Sequence, residues 1–256
     1  KRWKDLATFP TKLFTLTIAN ACVYLGAIGW GPGQRFGLHM GLYVLLALIM
    51  TIGNRVFPFF IRRALQCDDN LKTPKFLALA NLLAVILFMC ADLIWPSSVG
   101  AAVFAAMVAI LNAKRLWGWA RPAVWTHPLV WVLILGYGWI VVGFAMFAVQ
   151  PFGLFSPLLP LHALAAGGIG LTTMGMMARV ALGHTGRDIY ASRPILGVCF
   201  GLLMMGATTR ICLPLVWDSY ASAILISQVL WVTSFAFFVC IYAPILMRPR
   251  VDGKPE

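Results

Sequence analysis

Four histidines, three arginines inside apolar runs and a cluster of methionines are the residues of this chain with chemistry to offer. The histidines are His39, His127, His162 and His184. Imidazole is the commonest side-chain metal ligand and a usual axial ligand of haem iron. Two of them bracket one apolar stretch, LHALAAGGIGLTTMGMMARVALGHTGR at 161–187. His162 opens it and His184 stands near its close, with Arg179 the only charge before the exit. As a helix at roughly 1.5 Å per residue, the stretch separates the two histidines by about 33 Å, so they cannot share one metal. His162 is the candidate ligand for a buried site, with His39 a candidate to meet it across neighbouring helices around haem or copper. The alternative for either is an interface histidine hydrogen-bonded to a carbonyl or to water. His184 is the candidate for a second, separate metal position. Equally, His184-Thr185-Gly186-Arg187 reads as a turn, structural or anion-binding, at a basic helix C-terminus.

The three span arginines are Arg55, Arg179 and Arg210. Arg55 and Arg179 lie near span ends, where a long side chain snorkels to the interface. Arg210 lies deeper, and a charge at membrane depth is a functional hypothesis by default. Its candidate partners are Asp92, Asp218 or an anionic ligand such as a haem propionate. Met174, Met176 and Met177 read as soft metal ligands or as packing. Ala166 and Gly170 beside them permit close approach of a backbone or of a flat cofactor. Six scattered cysteines form no C-x-x-C pair, and all but Cys67 sit in apolar runs, so they read as small hydrophobes.

The elements that must position these residues are membrane spans. The 256-residue chain is 61% hydrophobic and 11% charged, against about 45–50% and 25% in a soluble domain. At roughly 20 residues per span, the expectation is an all-α polytopic transmembrane bundle of about eight spans, forming a single transmembrane domain. The expected spans are 13–30, 36–61, 76–95, 99–116, 129–149, 161–182, 194–216 and 221–246. The chain begins with Lys1 rather than Met, so part of a longer protein is expected.

The formal charge of +12 does not point to nucleic acid. Sixteen of the lysines and arginines fall in the N-terminal flank, the loops after the second, fourth and sixth spans, and the tail. The alternate loops hold only Arg35. Such a split is the positive-inside signature, and it puts both ends of the chain on the cytoplasmic side of the membrane. No polar domain remains for a nucleic-acid surface. Trp3, Trp30, Trp95, Trp117, Trp119 and Trp217 sit at span ends, as an interfacial belt would place them.

Three segments, GNRVFPFF at 53–60, the 161–187 stretch ending RVALGHTGR, and the tail YAPILMRPRVDGKPE at 242–256, resemble the NnrS family of bacterial inner-membrane proteins. Members of that family are longer, with about twelve spans, so the chain resembles their C-terminal two thirds. The family's N-terminal His-x-His-Glu-Met-type motif does not occur here. The resemblance implies a haem- and copper-containing membrane protein linked to nitric oxide and denitrification, protective under nitrosative stress. The residues it carries over are Arg55, Pro58, His162, Arg179, His184 and Arg187.

The leading expectation is therefore a haem/copper protein that binds nitric oxide or protects metal centres from it. The spans contain no glutamate, so reduction of the gas, which needs protons, is expected less than binding. A transporter or channel for a small anion or metabolite, built around Arg210, is one alternative. A membrane assembly protein with no site of its own is another. The electron donor, if there is one, is left open.

Overall fold

Long apolar runs closed by turn residues give long helices, since lipid offers no partner for a free backbone amide. The computed structural model describes residues 2–253 apart from 30, 32, 68–70, 72, 190–193 and 218, with side chains described from residue 10 onward. It contains eight long helices: α1 (Arg2–Ala27), α2 (Gly33–Leu65), α3 (Lys75–Ile94), α4 (Val99–Trp119), α5 (Pro128–Val149), α6 (Leu158–His184), α7 (Pro194–Cys212) and α8 (Tyr220–Leu246). Seven of them, α2 to α8, are long and apolar enough to cross a membrane. α1 is long enough, but it carries Lys12 and a run of threonines. It packs along α2.

Short connections make consecutive helices antiparallel, so the starts of even-numbered helices share one end of the bundle with His162, and their ends share the other with His184. Cross-helix contacts fix this register. Tyr43 on α2 meets Asp92 on α3, and Asn81 on α3 meets Asn112 on α4.

α5 and α6 form the centre. In their apolar windows 56% and 61% of residues are buried, against 17% in α8. Glycines make this possible. A Cβ on Gly136 would stand 2.6 Å from Thr172 Oγ1, and one on Gly175 would stand 2.6 Å from a Val132 methyl. Only a hydrogen fits where the two backbones approach so closely.

The organising stretch is not a regular helix. α6 begins as an α-turn over Leu158–His162, widens into a π-helix over Ala163–Ile169, and returns to α-helix from Gly170. A π-segment inserts an extra residue into the helical repeat and turns the remainder of the helix to a new face. Gly167 and Gly168 lie inside it against Trp139 and Ile140 of α5, where an added Cβ would collide with those side chains. The close fit to α5 explains why the wide turn sits there.

Candidate functional site

His162 occupies the last α-helical position before the π-segment. α7 brings Arg210 to it, and the first residue of α8 brings Tyr220. Arg210 Nε donates to His162 Nδ1 at 3.3 Å, and His162 Nε2 lies 3.2 Å from the Tyr220 hydroxyl. A guanidinium only donates, so Nδ1 carries a lone pair and the ring proton sits on Nε2, facing Tyr220. Beside this trio is a cavity of about 340 Å³. Ala165 and Ala166 of the π-segment form one wall, and Gln228 and Trp231 of α8 form another. Gln228, Trp231 and Val232 are also exposed on the outside of the bundle, so the cavity opens laterally.

Asp92 is not the partner of Arg210. Its carboxylate is buried and accepts from the Tyr43 hydroxyl at 2.7 Å, with Arg35 3.6 Å away. A buried carboxylate satisfied within its own helix pair has nothing left to offer α7. Asp218, the other candidate, lies outside the described residues. Among the described residues Arg210 meets no carboxylate.

His39 belongs to the Asp92 group. Its Nδ1 contacts the Arg35 carbonyl at 2.9 Å, one helical turn back, and its ring meets Tyr43 edge-on at 6.0 Å. His39 and His162 therefore have separate hydrogen-bond partners. His127 stands at the N-terminus of α5 without a side-chain capping bond.

The methionines divide. Met177 is exposed. Met174 is fully buried, with its sulfur 3.8 Å from the Cys199 thiol. That thiol donates to the Ser234 carbonyl at 3.2 Å, and Ser234 returns a bond to the Cys199 carbonyl at 2.7 Å. The arrangement knits α6, α7 and α8 together and already uses its polar atoms.

The His184 end is built differently. His184 is exposed, while Thr185 is buried and bonds back to the Ala181 carbonyl at 2.7 Å. Gly186 takes φ +69°, a left-handed value that suits glycine. The tail folds back over this turn. Val251 N–H donates to the Thr185 carbonyl at 3.2 Å, and Asp252 packs on Gly186 while pairing with Arg250 at 2.7 Å. Arg187 Nη1 reaches the Ile245 carbonyl at 3.4 Å and so caps the last turn of α8. The HTGR turn and the tail, two separate motifs in the sequence, thus meet. A carboxylate, Asp252, already covers the turn.

Arg55 is exposed, but it stands well before the end of α2 at Leu65 rather than at a helix end. Arg179 does not snorkel. It is 3% exposed, places its guanidinium 4.1 Å over the Phe60 ring, and donates to the Leu129 carbonyl at 3.3 Å. Trp119 also departs from expectation. It is buried against Phe57 and Tyr137 rather than set in an interfacial belt. Trp117 and Trp95 are exposed as that belt would have them, and Trp3 and Trp30 lie outside the described side chains.

Two groups can be tested against these residues. For copper, no three His, Cys, Asp or Glu side chains converge among the described residues. Met174 and Cys199 are already tied into helix packing. The described residues do not fit a copper centre. For haem, the cavity offers an imidazole at its rim, a guanidinium that meets no carboxylate among the described residues, and alanines on one wall. His162 would be the residue to ligate the iron, and Arg210 the one to pair with a carboxylate of the group.

Fold and site together define a polytopic helical membrane protein with an imidazole–guanidinium pair at the mouth of a lateral cavity. The family model described as NnrS protein matches residues 1–250, and the chain belongs to that family. No curated protein and no solved structure matches the chain.

Proposed function

We propose that this chain is a haem-binding part of an inner-membrane protein of the nitric oxide response, with the cavity beside His162 as its site. The observation that carries this reading is the pairing of His162 with an arginine that meets no carboxylate among the described residues, at the rim of a cavity walled by small residues.

Each residue has a definite task. Arg210 holds the His162 ring with Nδ1 unprotonated. Arg210 would pair with an anionic group in the cavity, His162 Nδ1 would then carry the ring proton, and the Nε2 lone pair would be the one offered to a metal. A metal macrocycle bearing carboxylates would supply both groups. Ala165 and Ala166 keep the wall flat. Trp231 and the lateral opening give an apolar approach for an uncharged gas that partitions into lipid. Bound haem would supply the iron to which nitric oxide binds. Binding or protection suits the site better than turnover, because Asp92 is committed to Tyr43 and Arg35 and no proton-carrying carboxylate lines the cavity among the described residues. Copper is not assigned to the described residues.

For orientation, the sixteen-to-one charge split supports the His184 end as cytoplasmic. With α1 counted as an eighth span packed along α2, both ends of the chain fall on that side.

The test is an optical spectrum of the purified protein, reduced with dithionite, with and without nitric oxide. A Soret band that shifts with the gas, and is lost in His162→Ala while His39→Ala and His184→Ala retain it, is the expected result. A Soret band unchanged in His162→Ala would move the ligand elsewhere. No band at all after haem supplementation would end the reading.

A further inference from the structure

At the opposite end of the bundle Arg115 presents a second site. The charge count places Lys114, Arg115 and Arg121 together in the loop after the fourth span. α4 in fact continues to Trp119, and Arg115 is only 7% exposed. Both of its hydrogen bonds leave from Nη1, one to Asn112 Oδ1 at 3.1 Å and one to the Tyr137 hydroxyl at 2.8 Å. Tyr137 in turn donates to Asn112 Oδ1, and Asn112 Nδ2 donates to Asn81 Oδ1 at 2.5 Å. All these partners are neutral. Nε is buried and has no hydrogen-bond partner, and no carboxylate pairs with the guanidinium among the described residues.

A buried cation compensated only by neutral groups carries a desolvation penalty that an anionic partner would offset. Arg115 lines a cavity of about 300 Å³ between α2, α3 and α4. Asn81 and Asn54 line the same cavity. Asn81 is 5% exposed, with its Oδ1 committed to Asn112, so its remaining polar atom is the Nδ2 donor. Asn54 Oδ1 is buried without a partner. Rotation of that amide presents a donor in its place. Thr51 completes the polar lining, and Lys12 of α1 donates to its hydroxyl at 2.9 Å. The cavity thus has a cation within it, a second at its rim, and amide donors between them.

We propose that this cavity binds a small monovalent oxoanion of carboxylate type, held side-on by the Nε and Nη2 edge of Arg115 with Asn81 and Asn54 as flanking donors. Two coplanar oxygens match the two parallel N–H groups of that edge, and such bidentate pairs are the strong ones. The Nη1 bonds to Asn112 and Tyr137 leave the Nε and Nη2 edge uncommitted. This site stands apart from the one beside His162 and does not depend on haem.

The experiment uses the full chain in detergent, with acetate as probe and chloride at equal ionic strength as control. Acetate is expected to bind saturably by titration calorimetry and to raise the melting temperature with its concentration, as any ligand of the folded state does. Asn81→Asp keeps the acceptor for Asn112 and places a carboxylate beside Arg115. That variant is expected to melt no lower than the wild type without acetate and to lose acetate binding. Arg115→Lys keeps the charge without the fork and is expected to bind at least about tenfold more weakly. Equal effects of acetate and chloride would overturn the proposal, leaving a cavity that holds only water. Wild-type acetate affinity in Asn81→Asp would overturn it too, by placing the binding elsewhere.

Discussion

The two ends of the bundle each carry an arginine that meets no carboxylate among the described residues, and they house it in opposite ways. Arg210 is half-buried, is held by one half-buried histidine, and faces a cavity that opens sideways. Arg115 is buried and locked by Asn112 and Tyr137, both without exposed surface. The first arrangement is loosely held: a ligand that takes Arg210 also changes which nitrogen of His162 is free. The second is rigid, since each member of the chain Asn81–Asn112–Tyr137–Arg115 fixes the next. The difference predicts a division of labour. Substitutions at the Arg115 end should cost stability, and substitutions at the His162 end should cost ligand.

The largest effect is expected at Asn112, the hub of the closed network. Asn112→Leu keeps the branched outline of the side chain and removes a partner from each of Asn81, Tyr137 and Arg115. A loss of about 3 kcal/mol is expected by equilibrium unfolding in mixed micelles. By contrast His162→Ala should cost under about 1 kcal/mol, because its ring is half-exposed. Comparable losses from both variants would erase the contrast between the ends. Next comes Gly136→Ala, beside Tyr137, where the new Cβ meets Thr172 of α6 at 2.6 Å. Overpacking there should cost about 1–3 kcal/mol. Because α6 also carries His162, the variant asks whether the two ends are mechanically joined; a shifted haem spectrum would say that they are. Gly186→Ala is expected to cost about 1 kcal/mol through its positive φ, and more where the methyl displaces Asp252. Faster proteolysis of the tail after residue 246 is the readout.

Much of this is legible in the chain itself, and the misses share a physical cause. The apolar runs give the helices, because lipid leaves a backbone amide no other partner. His162 and Arg210 are legible as isolated polar residues in apolar surroundings, but not as partners, since pairing depends on how α6 and α7 face each other. The π-turn after His162 leaves no mark beyond a glycine pair. Arg115 reads as a loop cation because it stands beside Lys114 and close to Arg121, and a cation at a span end looks the same whether it faces water or core. The signal available is Asn81 and Asn112, amides within apolar runs that need partners when buried. Asp92 is legible as an outer-end carboxylate, yet its satisfaction by Tyr43 requires the α2–α3 register.

The smallest expected effect is at Tyr220, and it discriminates most finely. The hydroxyl sits 3.2 Å from His162 Nε2 and the residue is exposed, so Tyr220→Phe should change stability by no more than about 0.5 kcal/mol. Its effect on ligand has a definite sign. In the structure the phenol holds the nitrogen that a metal would need, as Arg210 holds the other. Removing the phenol leaves Nε2 unengaged while Arg210 and the cavity walls stay as they are. Haem affinity in Tyr220→Phe should therefore rise slightly or stay level, whereas Arg210→Gln, which removes the group proposed for the propionate, should lower it by about tenfold. A fall in affinity on losing the hydroxyl would assign Tyr220 to the bound state as well, with its phenol turned onto the ligand. A gain in Arg210→Gln would mean that the guanidinium guards the imidazole rather than recruiting the anion.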